Sequence, residues 1–305
     1  MRHEKSGGRA LLSLGRVYSD MVFNGLDAMP ELGRELFARD FVITPGGGAF
    51  ITAAHAVAVG RPAALVARYG TDAISRGVEN DIAALGVDLR FLERHPDAGP
   101  QVTVVMVREG ERAFLSRRAG RALPATLEAA LDWPDAAHLH IAEYATLHEI
   151  PHAIDAARER GHTVSLDPSW DSSLIGDPLF FERVAGTDVF LPNLEEARAL
   201  TGQEEPTAIL EALARHFPVV ALKCGADGAW LSMNGEISQR AAPAVEVIDT
   251  TGAGDAFNAG FLNAWLEGAE GQEGLTAAID AGSRSVRAVG GIGSLTIALA
   301  AAQGS

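Results

Sequence analysis

One short segment of the sequence, Asp249–Phe257, combines the residue types that phosphoryl transfer needs. Glycines at positions 252 and 254 allow the backbone to come close to a ligand. The small residues that follow predict a helix, whose first N–H groups and positive dipole end favour a bound anion such as phosphate. Asp255 in this turn would repel phosphate but can accept the proton of an attacking hydroxyl. The simpler alternative is that Asp255 caps the helix and the glycines only turn the chain.

Two other catalytic motifs lack the neighbouring residues that their chemistry requires. A Walker A loop needs a lysine after a glycine-rich turn, and neither Lys5 nor Lys223 has that context. Residues 148–152 read His-Glu-x-x-His, the pattern of zinc proteases. Pro151 most naturally marks the first turn of a helix and leaves His148 outside it, so we favour a solvated helix entrance over a zinc site.

Alternating strand and helix patterns surround these residues and predict an α/β fold. Strands are predicted at Leu11–Gly15, Leu65–Ala67, Leu139–Ala142, Thr163–Leu166, Val189–Leu191, Val219–Leu222 and Ala229–Ser232. Helices are predicted at Thr52–Val59, Asp72–Leu85 and residues 146–160, 193–201, 206–215, 253–267 and 275–289. This alternation predicts a doubly wound, mostly parallel sheet flanked by helices.

Four further strands indicate a second, smaller sheet. They are predicted at Met21–Leu26, Phe41–Thr44, Val102–Val107 and Ala113–Ser116. The last two form a predicted hairpin, because their residues alternate with a period near two on either side of a polar turn.

The composition of the 305 residues is that of an ordinary globular protein, with 47% hydrophobic and 21% charged residues. The formal net charge of −15 repels phosphate backbones and anionic lipids, which argues against nucleic acid or membrane partners. The single cysteine, Cys224, excludes an internal disulfide and a zinc site built from several cysteines. No stretch reaches the roughly 20 apolar residues of a membrane-spanning helix and no leader is evident, so we expect a cytoplasmic protein.

The segment Asp249–Phe257 resembles the C-terminal signature of the PfkB, or ribokinase-like, family of carbohydrate kinases. Segments similar to other family motifs follow in family order: Gly15–Asp20, Pro45–Gly48, Gly60, Tyr69–Asp72, Asn193–Glu196 and Lys223–Gly228. The resemblance implies one ribokinase-like kinase domain over residues 1–305, with a small β-sheet lid formed from inserted segments around 18–45 and 100–118. It also implies an ATP-dependent kinase that phosphorylates a hydroxyl, expected to be primary, of a sugar or sugar-like molecule, and a homodimer formed through the lid.

The resemblance further implies a role for individual residues. Asp255 would be the general base, and the amides of Gly252, Ala253 and Gly254 would hold the transferred phosphoryl group. The other implied sites are the sugar site (Asp20, Gly46, Gly47), the nucleotide site (Lys223, Gly225, Gly228), a Mg²⁺ site acting through water (Asn193, Glu196) and a site for a monovalent cation such as K⁺ (Asp249, Thr251). From the residues alone, the alternatives are an N-capped helix at 193–196 and a turn between strands at 225–228.

Two departures from the family pattern bear on the acceptor. Ile51 stands where the family usually has an asparagine that contacts the sugar, which suggests a less hydroxylated or differently oriented substrate. The stretch Asp167–Asp171 keeps the aspartate of the usual Asp-x-Asn-x-Arg but lacks the arginine that could face phosphates.

Two alternatives stay open within the same fold. A nucleoside kinase would need an apolar or aromatic slot for the base, for which the candidates are Phe23, Phe41, Phe50 and Phe114. A non-catalytic sugar-binding regulator would keep the fold without turnover, and the intact Asp255 with its glycines argues against it.

Overall fold

The computed structural model of the chain describes residues 9–108 and 111–303. Its strands, numbered in chain order, are β1 Ala10–Leu14, β2 Tyr18–Asn24, β3 Asp40–Gly46, β4 Ala63–Tyr69, β5 Leu92–Arg94, β6 Val102–Arg108, β7 Glu111–Arg117, β8 Ala136–Ile141, β9 Thr163–Leu166, β10 Val189–Phe190, β11 Val219–Lys223, β12 Ala229–Met233 and β13 Glu236–Arg240. Its α-helices are α1 Gly48–Ala58, α2 Ala73–Ala84, α3 Leu127–Leu131, α4 Tyr144–Glu149, α5 Ala153–Glu159, α6 Phe180–Arg183, α7 Leu194–Thr201, α8 Pro206–Leu213, α9 Ala253–Leu266, α10 Gly271–Ser285 and α11 Gly293–Gln303. Within these described residues, no helix combines the length and the apolar character that crossing a bilayer would need.

Nine strands form one large sheet in the order β13-β12-β11-β10-β9-β8-β1-β4-β5. The pairs from β5 through to β11 are parallel, and β12 and β13 add antiparallel strands at one edge. The predicted mostly parallel α/β sheet is therefore confirmed. Strand β1 lies between β8 and β4, where the strand order reverses, and open α/β sheets bind ligands beyond the carboxyl ends of strands at such a point.

Both faces of the large sheet are covered by helices, as predicted. All five residues of β1 are buried, and successive side chains of a strand point to opposite faces. Leu11 packs into a core that includes Phe257 and Phe261 of α9. Leu12 belongs to a second core on the other face, together with Leu210 of α8. The carboxyl end of β1 is therefore held rigidly between two packed layers.

Four strands form a separate small sheet in the order β3-β2-β6-β7. Strand β2 pairs antiparallel with β3 and parallel with β6, and β6 and β7 form the predicted antiparallel hairpin. We refer to these four strands as the small sheet. They lie in the two stretches of sequence where the four strands of a second, smaller sheet are predicted.

Some predicted elements differ from the structure. The single helix predicted over residues 146–160 is wrong: α4 ends at Glu149 and α5 begins at Ala153. Pro151 lies between them, and a proline inside a helix lacks the required N–H and clashes with the preceding turn. The last long helix begins at Gly271 rather than at residue 275. Strand β13 was not predicted, because its residues are mostly exposed and carry no buried alternating pattern.

Candidate active site

The largest set of predicted site residues meets in a cavity of about 1030 Å³. The cavity lies at the carboxyl ends of five parallel strands, where each strand or the residues after it contribute a polar side chain. These side chains are Arg16 after β1, Glu143 after β8, Asp167 after β9, Asn193 after β10 and Lys223 at the end of β11. A second cavity of about 640 Å³ near Arg68 and Asp97 is lined by other residues and contains none of the predicted ones.

The small sheet covers this cavity with one of its two faces. Asp20, Thr103 and Ser116 are neighbours across β2, β6 and β7, and all three line the cavity. Val105 and Phe114 form the next cross-strand pair on the same face and line it as well. Because side chains alternate along a strand, the residues between these positions point away from the cavity.

The turn before α9 has the backbone that the sequence predicts for an anion site. Gly252 adopts φ 71° and ψ 4°, a left-handed conformation that favours glycine. A side chain at this position would also collide with the Cα atom of Gly291. Gly252 and Gly254 line the cavity, whereas the Ala253 N–H donates to the carbonyl of Thr250 at 3.2 Å. Of the three predicted amides, that of Ala253 is thus already engaged within the turn.

Asp255 occupies the third position of α9, at the floor of the cavity. Burial raises the pKa of its carboxyl to about 7, assisted by the negative charge of Asp167 and opposed by Lys223. Within residues 9–108 and 111–303, no donor forms a hydrogen bond to this carboxylate. The helix-cap alternative is therefore not supported, and the carboxylate is available to accept a proton from a ligand.

Lys223 carries the positive charge closest to this turn. Its Nζ donates to Asp167 Oδ2 at 2.6 Å, and Asn258 Nδ2 donates to the same oxygen at 2.6 Å. Burial alone would lower the pKa of Lys223, but the carboxylates of Asp167 and Glu196 raise it, so the amine stays protonated. A methyl group added at Gly254 would lie 3.4 Å from Nζ, which means that the ammonium faces the start of α9.

Asn193 and Glu196 form a reciprocal cap at the beginning of α7. Asn193 Oδ1 accepts from the Glu196 N–H at 2.9 Å, and Glu196 Oε2 accepts from the Asn193 N–H at 2.8 Å. The capped-helix alternative is therefore correct as a description of the geometry. Both side chains also line the cavity, and burial together with the charge of Asp167 raises the pKa of Glu196 to about 7.

The glycines at 225 and 228 form the turn between β11 and β12. Gly225 has φ 58° and Gly228 has φ 90°, and a side chain at Gly228 would meet the backbone of Arg240 and Ala242. Neither glycine is among the residues that line the larger cavity. The geometry is that of a turn between strands, and contact of these glycines with a nucleotide stays a prediction.

Asp20 and the glycines at 46 and 47 lie together at the end of β3. Burial, with the negative charge of Asp249, raises the pKa of Asp20 to about 7. A side chain at Gly46 would overlap the Asp20 carboxylate, and Gly47 has φ 93° where α1 begins. Ile51 lines the cavity and packs against the backbone near Gly252.

The two residues predicted to bind a monovalent cation, Asp249 and Thr251, both contact an arginine. Arg112 of β7 donates from Nη1 to Asp249 Oδ1 and to Thr251 Oγ1, each at 2.8 Å. The zinc-protease pattern is also broken, because His148 and His152 lie on either side of the interruption between α4 and α5. Its Glu149 is paired with Arg16.

Several residues in or beside the cavity were not predicted from the sequence, among them Arg112, Glu143 and Asn258. Glu143 follows a predicted strand directly, so the rule that ligands bind at the carboxyl ends of parallel strands could have found it. Arg112 and Asn258 act through contacts with residues distant in sequence, for which the local pattern contains no signal.

Residues 17–298 of the chain match the family model described as pfkB family carbohydrate kinase. The chain belongs to the PfkB family. It is therefore an ATP-dependent carbohydrate kinase, as the resemblance of its motifs implied. An ATP-dependent ribose-1-phosphate kinase from Halopiger xanaduensis is 30% identical over 263 residues, which cover 84% of each chain.

Solved structures of related proteins share the fold of this kinase. The structure of Arabidopsis thaliana ribokinase complexed with ribose and ATP has a TM-score of 0.79 and 26% identity, covering 94% of this chain and 95% of that one. A putative ribokinase II from E. coli in complex with ATP and Mg²⁺ has a TM-score of 0.78 and 21% identity, covering 96% and 98%. The latter similarity shows the fold alone.

Two glycine-to-alanine variants of the turn before α9 should separate folding from turnover. The unfolding free energy of Gly254→Ala should equal that of the wild type, because the added methyl group would lie at an ordinary contact distance of 3.4 Å from Lys223 Nζ. Its kcat/KM should fall at least about tenfold, because the methyl group occupies space needed by the phosphoryl group. Gly252→Ala should lose at least about 1–3 kcal/mol of unfolding free energy, because alanine is strained at its positive φ and its methyl group would collide with Gly291.

Denaturant unfolding and ADP release measure the two effects. Wild-type turnover in a folded Gly254→Ala variant would show that the start of α9 does not face the phosphoryl group.

Proposed function

We propose that this kinase transfers the γ-phosphoryl group of ATP to a hydroxyl, expected to be primary, of a sugar or sugar-like molecule, with Asp255 as general base. The observation that carries the proposal is the unengaged Asp255 carboxylate in the same turn as Gly252 and Gly254. An acceptor hydroxyl placed there gives its proton to Asp255, while amides at the start of α9 stabilise the charge of the transferred group. The ammonium of Lys223 lies beside this position and supplies a positive charge for the nucleotide phosphates. The related ribokinase with ribose and ATP supports this arrangement.

Mg²⁺ fits the charge balance of the cleft. Asp167, Glu196 and Asp255 place three carboxyl groups near one ammonium, and the pKa values of two of them are raised to about 7. Such an excess of negative charge favours a divalent cation, and Mg²⁺ keeps several water ligands. Asn193 and Glu196 would hold it through water, and the ion would neutralise charge on the ATP phosphates. The putative ribokinase II from E. coli, which has the same fold, is a complex with ATP and Mg²⁺.

The whole chain acts as one kinase domain in this proposal, and the small sheet acts as its lid. Its inner face places Thr103, Val105 and Phe114 over the cavity. Covering the acceptor excludes water, which would otherwise compete for the phosphoryl group. We expect a cytoplasmic location, because the reaction consumes ATP and the cytoplasm supplies it.

The acceptor is a sugar rather than a nucleoside in this proposal. A nucleobase needs an aromatic slot, and of the four candidate phenylalanines only Phe114 lines the cavity. Phe50 is fully buried in the core, and the rings of Phe23 and Phe41 contact each other on the opposite face of the small sheet. Asp20 instead offers a buried carboxylate to neighbouring hydroxyl groups.

A substrate panel tests the proposed function. Sugars, sugar acids and nucleosides are compared by ADP release, with Asp255→Asn as the matched inactive control. We expect a sugar or sugar-like compound to be phosphorylated and Asp255→Asn to lower kcat about 10²–10⁴-fold while ATP still binds. Because the base must lose its proton, the wild-type kcat/KM should rise with pH through about 7. Preference for a nucleoside would favour the nucleoside kinase, and turnover by Asp255→Asn within a few-fold of wild type would reject Asp255 as the base.

Asp20 and Ile51 should control the use of the acceptor. Asp20→Ala should lower kcat/KM for the acceptor about ten- to a hundredfold with little change in the KM for ATP, because charge-assisted hydrogen bonds are lost. Ribose and fructose should be poor substrates of the wild type, because Ile51 leaves a buried hydroxyl unpaired at a cost of about 1–3 kcal/mol.

Ile51→Asn should therefore improve the kcat/KM for ribose or fructose, whereas Ile51→Val, which stays apolar, should not. Efficient use of either sugar by the wild type, without a gain from asparagine, would show that Ile51 does not set specificity.

The outer face of the small sheet supports the proposed homodimer. Phe41 and Leu115 are 53% and 67% exposed, and they share this face with Met21 and Ile43. Exposed apolar surface of this kind is typical of an interaction site, and a second copy of the same lid offers a matching face.

A charge on this face should break the dimer. Leu115→Glu should weaken self-association at least about tenfold, measured by light scattering after gel filtration. Ile297→Glu on α11, 64% exposed in the monomer, is the matched control and should leave it unchanged. Equal masses for wild type and Leu115→Glu at all concentrations would contradict an interface on this face.

A further inference from the structure

Arg112 reaches from β7 of the small sheet to the loop that precedes α9. Its Nη1 donates hydrogen bonds of 2.8 Å to both Asp249 Oδ1 and Thr251 Oγ1. The Arg112 side chain is 17% exposed and that of Asp249 is 6% exposed. Because water is largely excluded, the attraction between the two charges is less screened than in a surface ion pair.

The chain itself uses the oxygens of Asp249. Besides Arg112, the backbone N–H of Thr251 donates to Oδ1 at 2.8 Å and the Thr251 hydroxyl at 2.7 Å. The N–H of Gly290 donates to Oδ2 at 2.8 Å. Three donors thus converge on Oδ1, which has only two lone pairs, and one donor reaches Oδ2. Oδ1 of Asp249 therefore has no lone pair left for a monovalent cation, and the guanidinium on Asp249 and Thr251 would repel such an ion.

We propose that Arg112 is a built-in cation of this kinase and takes the position that the sequence motif assigns to a monovalent metal ion. This inference rests on the proposed function of the cleft. The guanidinium neutralises Asp249 and fixes the backbone from Asp249 to Gly252, which presents the first amides of α9. Arg112 is thus a positioning residue, and turnover does not require K⁺.

Arg112 belongs to the small sheet, so the order of the turn before α9 depends on the position of that sheet. A soluble ion would order the turn whether or not the sheet covered the cavity. A tethered guanidinium orders the turn only when the sheet lies over the cavity. Covering the acceptor and ordering the phosphoryl site are therefore one event in this chain.

Cation dependence in wild type and Arg112→Ala tests the proposal. The two proteins are compared at equal concentrations of potassium chloride and tetramethylammonium chloride. Wild-type kcat/KM and Tm should be the same in both salts, within about twofold and one degree. Arg112→Ala should lose activity at least about tenfold in tetramethylammonium, and K⁺ or added guanidinium should restore several-fold of it. K⁺ should also raise the Tm of Arg112→Ala, because an ion that binds only the folded state stabilises it.

The matched control is Arg117→Ala, an exposed arginine of the same strand that donates to the carbonyl of Pro100. It should behave as the wild type in both salts. If Arg112→Ala does not fold, Arg112→Gln removes the charge at similar length and carries the same expectations. Clear activation or stabilisation of the wild type by K⁺ would overturn the proposal. So would an Arg112→Ala variant that behaves like Arg117→Ala, or a loss of activity in Arg112→Ala that neither K⁺ nor guanidinium restores. Because Tm is measured without substrate, the cation result can be read even if the substrate panel fails.

Discussion

The ion pair between Lys223 and Asp167, 2.6 Å long, is the interaction on which the rest of the cleft depends. Five parallel strands end at this point and bring several carboxyl groups out of water, which is costly unless their charge is offset. Lys223 is one of only two lysines in the chain, and it lies among them. Its charge limits the rise in the pKa values of Asp255 and Glu196, so these groups can still ionise near neutral pH.

The charged residues of the site come from a rigid part, the large sheet, and from a covering part, the small sheet. Asp167, Asn193 and Lys223 lie at or just after the carboxyl ends of strands of the large sheet, which is packed on both faces. Asp20 and Arg112 belong to the small sheet and meet this frame from the other side. The large sheet therefore fixes the position of the phosphoryl chemistry, and the small sheet completes the charge pattern around the acceptor.

Much of the fold and part of the site could be predicted from the sequence, and the reasons are physical. Strands buried on both faces, such as β1, read as apolar runs, and the glycine at 252 indicates the left-handed backbone that this position adopts. Strand β13 was missed because an exposed edge strand needs no apolar pattern. Arg112 was missed, because a side chain that reaches in from another sheet leaves no local trace in the sequence.

The close contact between Gly46 and the Asp20 carboxylate limits how this protein could acquire a new acceptor. Substitutions on that side of the cavity would displace a buried charge or strain the entrance of α1, so they carry a penalty in folding. Thr103, Phe114 and Ser116 face the cavity from a thin sheet and are absent from both hydrophobic cores. Divergence in substrate choice, whether natural or engineered, is therefore open through this hairpin, which can vary while the phosphoryl-transfer frame stays unchanged.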